Sequence, residues 1–196
     1  MRRTVLAVSV FGILLVVVVG VISVIFFLGE RNTLEQFPDM SNDTVYPRMM
    51  NIISPAFEHN SSMPSRYTCD GEKISPPLAF SDVQEETQSL ALIMDDPDAP
   101  SGTFDHWVLW NINPVIMATV EGASMEGDAV IGRNSAGENE YFPPCPPSSE
   151  HRYTFKLYAL DRQLDLPAGS SKKDVEKAME GHVLDSAELI GKYQRR

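Results

Sequence analysis

Apolar positions along this chain fall into three patterns, and each predicts a different element. From Val5 to Leu28 every residue is apolar or small, with Ser9, Ser23 and two glycines the only interruptions, and Arg2 and Arg3 stand directly before it. About 24 residues rising 1.5 Å each can span a hydrocarbon core with some tilt. A cleaved signal peptide ends a shorter run at a small-x-small site, whereas this run ends in Ile25, Phe26, Phe27 and Leu28. An uncleaved signal anchor over residues 1–29 is therefore expected, and a buried core helix fits less well because no polar face is marked. The arginine pair predicts a cytoplasmic N-terminus, hence a single-pass membrane protein with its domain on the extracytoplasmic side.

The second pattern is a set of short apolar runs of β character, Ser89 to Met94, His106 to Ile112 and His151 to Leu160. In the last, Tyr153, Phe155, Leu157 and Ala159 alternate with Thr154, Lys156 and Tyr158, as in a half-buried strand. Fourteen prolines, many in Asp96-Pro-Asp-Ala-Pro and Pro143-Pro-Cys-Pro-Pro, exclude central strands there and mark loops of fixed shape. The third pattern predicts one helix. It begins after Ser171, with Asp174 as capping-box partner, passes through Val175 and Met179, and stops at Gly181. From Val183 to Tyr193 a strand is expected, although Leu184, Ala187 and Ile190 also suit a helix. The prediction is a mostly β domain over residues 47–196 with a few short helices, joined to the apolar run by a polar linker or ordered arm over residues 30–46.

Composition narrows the function. The net charge is -11, and about -12 once the first thirty residues, with two arginines and one glutamate, are set aside. An acidic surface repels nucleic acid, so DNA and RNA are excluded as partners. The two cysteines, Cys69 and Cys145, are expected to pair in an oxidising compartment, the alternative being two separate buried thiols. Asn42-Asp-Thr and Asn60-Ser-Ser fit the glycosylation pattern.

The candidate chemistry lies at the ends of the β runs. Pro97 and Pro100 fix the backbone around Asp96 and Asp98, and the following runs open with His106-Trp and His151-Arg-Tyr. If these ends converge, two imidazoles, a phenol and two carboxylates line one cavity suited to phosphate or carboxylate oxygens. Taken singly, each piece also reads as an ordinary turn or strand start.

Asp96-Pro-Asp-Ala-Pro, His106-Trp-Val-Leu-Trp-Asn, Pro143-Pro-Cys-Pro-Pro and His151-Arg-Tyr-Thr-Phe-Lys-Leu-Tyr together resemble the phosphatidylethanolamine-binding protein family, in particular its prokaryotic Raf kinase inhibitor-like branch. The resemblance covers roughly Asn51 to Tyr193. It implies two antiparallel sheets and an anion pocket, with Asp96, Asp98, His106, Pro144, His151 and Tyr153 as ligand-binding residues. It implies no cofactor. Two departures stand out: Pro146-Pro-Ser-Ser-Glu150 precedes His151 where the family often has glycines, and the long C-terminal helix of eukaryotic members is missing.

The function expected is non-enzymatic binding of a small anionic ligand or phospholipid head group. Family roles include lipid head groups, kinase regulation and serine-protease inhibition, and modulation of a protease suits an extracytoplasmic domain better than a cytoplasmic kinase partner. The enzymatic alternative is a metal-dependent hydrolase using Asp96, Asp98, His106 and His151, although no tight His or Cys spacing supports it. An aspartate-nucleophile phosphatase needs more helices than this chain offers, and Gly122-Ala-Ser-Met-Glu lacks the closing glycine of a serine-hydrolase elbow.

Overall fold

The structure, a computed structural model, describes residues 49–123, 125 and 129–195. The apolar run Val5–Leu28, the connector over residues 30–46 and the sequon at Asn42 lie outside the described residues. Among those described, no helix is long and apolar enough to cross a membrane.

Among the described residues, nine strands and one α-helix form around the run Ser89–Asp96, here β4. Before it come β1 (Asn51–Ile53), β2 (Ser61–Ser62) and β3 (Leu78–Ser81); after it come β5 (Phe104–Ile112), β6 (Ala118–Thr119), β7 (Val130–Ile131) and β8 (His151–Leu160). The helix α1 (Lys172–Met179) and the last strand β9 (Val183–Tyr193) complete the chain. The larger sheet has the order β2-β9-β8-β4-β5-β7 and the smaller β1-β3-β6. All pairs are antiparallel except the two-residue pairing of β2 with β9, where Ser61 lies opposite Gly191 in parallel.

All eight residues of β4 are buried, because it lies inside the larger sheet and both of its faces are covered. Leu90, Leu92 and Met94 pack toward the smaller sheet with Ile52, Leu78 and Phe80, while Ala91 and Ile93 pack on the opposite face with Val175 and Met179 of α1. A run apolar on both faces is what such a strand requires. Leu90, Leu92, Ile93 and Met94 are each 0% exposed, and each side chain so removed from water contributes about 1.5–3 kcal/mol.

The helix starts where the sequence predicts. The Ser171 hydroxyl accepts from the Asp174 amide at 3.3 Å while the Asp174 carboxylate accepts from the Ser171 amide at 3.0 Å. It ends at Met179, and Gly181 beyond it adopts a left-handed φ of 78°. The Lys172 ammonium at its start reaches Asp95 at 2.5 Å and Asp105 at 3.1 Å, which fixes the helix to the ends of β4 and β5.

The ambiguous C-terminal run is a strand. Leu157 pairs with Ala187, Phe155 with Leu189 and Tyr153 with Gly191, so the buried positions recur every second residue. The helix-like spacing of Leu184, Ala187 and Ile190 is coincidental, since Leu184 stays 37% exposed. The period of two is hidden in the sequence because one of its positions is Gly191. A Cβ there would lie 2.4 Å from the Met63 side chain, so the close approach of the chain through β2 requires glycine.

Candidate functional site

Alternation along β4 sends its last two side chains to opposite faces. Asp95 continues the Ala91 and Ile93 side and meets Lys156 at 2.9 Å as well as Lys172. Asp96 continues the Leu90, Leu92 and Met94 side and ends the strand, whereas the sequence pattern placed it in the turn. One Asp96 carboxylate oxygen accepts from the Asp98 amide at 2.8 Å, closing the proline-flanked turn on itself. The other accepts from Nδ1 of His151 at 2.8 Å, with both side chains at most 5% exposed.

His106 reaches the same face through an irregularity in β5. Met94 pairs with Trp107, but Asp95 pairs with Asp105, so one extra residue, His106, is inserted at that point. Strict alternation would place His106 with Val108 and Trp110 on the helix side. The bulge turns it back to the Asp96 side, against Tyr153 edge-on at 5.2 Å and Phe104 at 4.8 Å. Its Nδ1 lies 2.7 Å from the Phe142 carbonyl, which can only accept, so Nδ1 carries the hydrogen. Burial among these rings pushes the His106 pKa down, against the opposing pull of the Phe142 carbonyl and of Asp96, Asp105 and Asp95.

Asp96, His106 and His151 line a pocket of about 140 Å³. Its walls are Phe104 and Phe142, the turn residues Ala99 and Pro100, and the segment Cys145-Pro146-Pro147. Pockets for drug-sized ligands run to roughly 300–1,000 Å³, so this one suits a single small group. Larger concavities of about 800 and 350 Å³ lie beside Tyr193–Arg195 and beside Trp107 and Tyr141. Neither brings a buried carboxylate and imidazole together.

The other three expected site residues do not line this pocket. Tyr153 packs behind His106, and its buried hydroxyl has no hydrogen-bond partner among the described residues; burial pushes its pKa up, so it keeps its proton and remains a donor. Asp98 is turned away to Arg152, whose guanidinium donates to both carboxylate oxygens at 2.9 and 2.7 Å while the Arg152 amide donates at 2.9 Å. Pro144 is buried and acts through its carbonyl, which accepts from the Cys69 amide at 3.0 Å. The aromatic walls Phe104 and Phe142 were missed, although Phe104 stands two residues before His106, on the same face once the bulge is allowed for.

Cys69 and Cys145 form a disulfide with Cα atoms 5.3 Å apart, closing a separation of 76 residues. In a chain-entropy account this contributes about 4 kcal/mol. It also anchors the pocket wall, because Cys145 lies in the wall itself. Among the described residues no group of three or more His, Cys, Asp or Glu is placed to hold a metal ion. The geometric reason is that Asp98 is committed to Arg152 and both Nδ1 atoms are engaged.

Two sheets enclosing an apolar core, with a small carboxylate and imidazole pocket at one end of the central strands, define a β-sandwich binding domain. The chain belongs to the phosphatidylethanolamine-binding protein family, whose profile matches residues 53–194. A UPF0098 protein of Methanothermobacter thermautotrophicus is 53% identical over 150 residues, which is 74% of this chain and 99% of the relative. The crystal structure of a homologue from Chlamydia trachomatis matches with a TM-score of 0.73 at 44% identity, covering 76% of this chain and 99% of that one. The structure of Escherichia coli YbcL, described as a new member of the mammalian family, matches with a TM-score of 0.71 at 26% identity over 76% of this chain and 100% of that one. The family is generally ligand-binding and non-catalytic.

The Arg152 clamp holds the Asp98 pKa down at about 2. A carboxylate with a depressed folded pKa adds stability above its unfolded pKa, near 3.9, and loses it as pH falls through the folded value. Because Arg152 is half exposed, the contribution is discounted to about 1 kcal/mol. Asp98→Asn should therefore destabilise the domain by about that much near neutral pH, with the difference vanishing toward about pH 2, as measured by urea unfolding at several pH values.

Proposed function

We propose that the pocket binds, reversibly and without turnover, one small anionic group, a phosphate or carboxylate such as a phospholipid head group carries. The observation that carries this reading is the buried Asp96 and His151 pair beside His106, in a pocket sized for one such group. Each ring has its Nδ1 held by a protein acceptor, and neither Nε2 has a hydrogen-bond partner among the described residues. The metal-dependent hydrolase is disfavoured, because Asp98 would have to leave a bidentate ion pair to act as a ligand.

The apolar run Val5–Leu28 precedes the family match, which begins at residue 53. With Arg2 and Arg3 before it, a signal anchor holding the domain on the extracytoplasmic side is the topology we propose. A domain held there would act on an envelope ligand or on a protein partner such as a protease.

Calorimetry on the full chain in a non-ionic detergent tests the pocket: inorganic phosphate or phosphoethanolamine should bind, and His106→Ala and His151→Ala should each abolish the signal. Binding unchanged in both variants would remove the pocket assignment. For the topology, protease added to intact cells should digest the domain, and a domain protected until the cells are opened would reverse the orientation.

A further inference from the structure

Among the described residues seven large apolar side chains are exposed, and they do not lie scattered over the surface. Five belong to the smaller sheet or to the segments entering and leaving its strands: Met49, Ile53, Val115, Met117 and Val120, each between 46% and 76% exposed. The strand register sets Ile53 opposite Ala79 and Ala79 opposite Ala118, so these three share the face turned away from the core. Asn51 and Ser81 pair on that same face. None of the outward positions of the three strands therefore carries a charge. A sheet with one face in water ordinarily alternates apolar inward with polar outward, and here the outer row of Ile53, Ala79 and Ala118 is apolar as well.

The other two exposed side chains, Val183 and Leu184, adjoin the β1 edge of this sheet. The Met50 amide donates to the Asp185 carboxylate at 2.8 Å, which brings the start of β9 beside the chain at Met49. Charge is kept to the rim: Glu121, next to Val120, is held by Arg66 at 3.2 Å and by the Tyr67 hydroxyl at 3.1 Å. None of the residues lining the pocket of Asp96, His106 and His151 lies on this face. Clustered apolar exposure of this kind marks a contact with a protein or with a membrane.

The point at which the chain enters the domain favours the membrane. Met49, the first described residue, is itself part of the patch, and only residues 29–48 separate it from Leu28, where the apolar run ends. Twenty residues reach at most about 70 Å when fully extended. With the run inserted in a bilayer, the domain stays within that distance of the lipid. Contact between the two is then an intramolecular event at high effective concentration, for which weak, shallow apolar contacts suffice. We propose that the outer face of the smaller sheet is a membrane-docking surface. Ile53, Val115 and Val120, with Met49 and Met117 beside them, seat at the boundary of head groups and acyl chains, so that the domain rests on the bilayer in one orientation. The uncharged face suits a zwitterionic lipid surface, since the domain as a whole is acidic and an anionic one would repel it. This rests on the signal-anchor reading above, though not on which side of the membrane the domain lies.

The test uses the full chain reconstituted in phosphatidylcholine vesicles whose acyl chains carry a fluorescence quencher. Cys69 and Cys145 are paired, so a cysteine introduced as Ile53→Cys, Val120→Cys or, on the exposed side of α1, Lys173→Cys is the one thiol that takes a fluorophore. All three positions are exposed, and labelling leaves the core untouched. Labels at positions 53 and 120 should be quenched several-fold more strongly than the label at 173, and adding Val115→Asp with Met117→Asp should bring the label at 120 down to the level at 173. Equal quenching at all three positions, in a chain that stays with the vesicles through an alkaline wash, would overturn the inference and leave the anchor reading intact. So would quenching at 53 and 120 that arises between labels and fades as the protein is diluted in lipid, which is the signature of a second copy on this face. A chain that the alkaline wash strips from the vesicles would overturn the anchor and the docking surface together.

Discussion

A strand buried on both faces cannot end in two carboxylates unless each finds a partner on its own side. Taking an ion out of water costs several kcal/mol even after the protein relaxes. In β4 that constraint falls on Asp95 and Asp96, 1% and 4% exposed. Alternation sends them apart, and each organises the face it reaches. Asp95 gathers Lys156 and Lys172, so the start of α1 is fixed against the sheet and Val175 and Met179 cover Ala91 and Ile93. Asp96 gathers Nδ1 of His151 and the Asp98 amide, so the start of β8 and the turn after β4 converge on one point. Helix and pocket are two responses to one doubly buried strand end.

The rest of the pocket is added around that point by two covalent or backbone devices. The bulge in β5 brings His106 onto the Asp96 face, and the Phe142 carbonyl sets its tautomer. The Cys69–Cys145 disulfide ties the proline-rich wall to the segment that follows β2. Asp98, which a motif-level reading places in the pocket, instead braces it from outside: its two oxygens hold Arg152 and so fix the residue after His151. It shapes the site without touching what occupies it.

Much of this was legible in the sequence, and the exceptions share a cause. The runs at Ser89 and His151 showed their strands because burial there follows simple periodicities, and the capping box at Ser171 and Asp174 is a local signal that tertiary packing does not override. The β character of Val183–Tyr193 was blurred by Gly191, a core-facing position without a side chain. Asp96, His106 and His151 were found as neighbours, but not how they meet, because a bulge leaves no mark on periodicity. Pro144 and Tyr153 belong to the layer behind the pocket, and sequence spacing does not separate a lining residue from the one supporting it. The aromatic walls Phe104 and Phe142 read as ordinary core residues until the fold brings them to His106.

What the pocket presents to a ligand depends on which nitrogen of each imidazole carries its hydrogen. Nitrogen-15 NMR of the histidine side chains in the ligand-free full chain near neutral pH reads this directly. The structure requires a protonated Nδ1 in both His106 and His151, and a bare Nε2 in His106. An Nε2–H tautomer with a bare Nδ1 in either ring would contradict it.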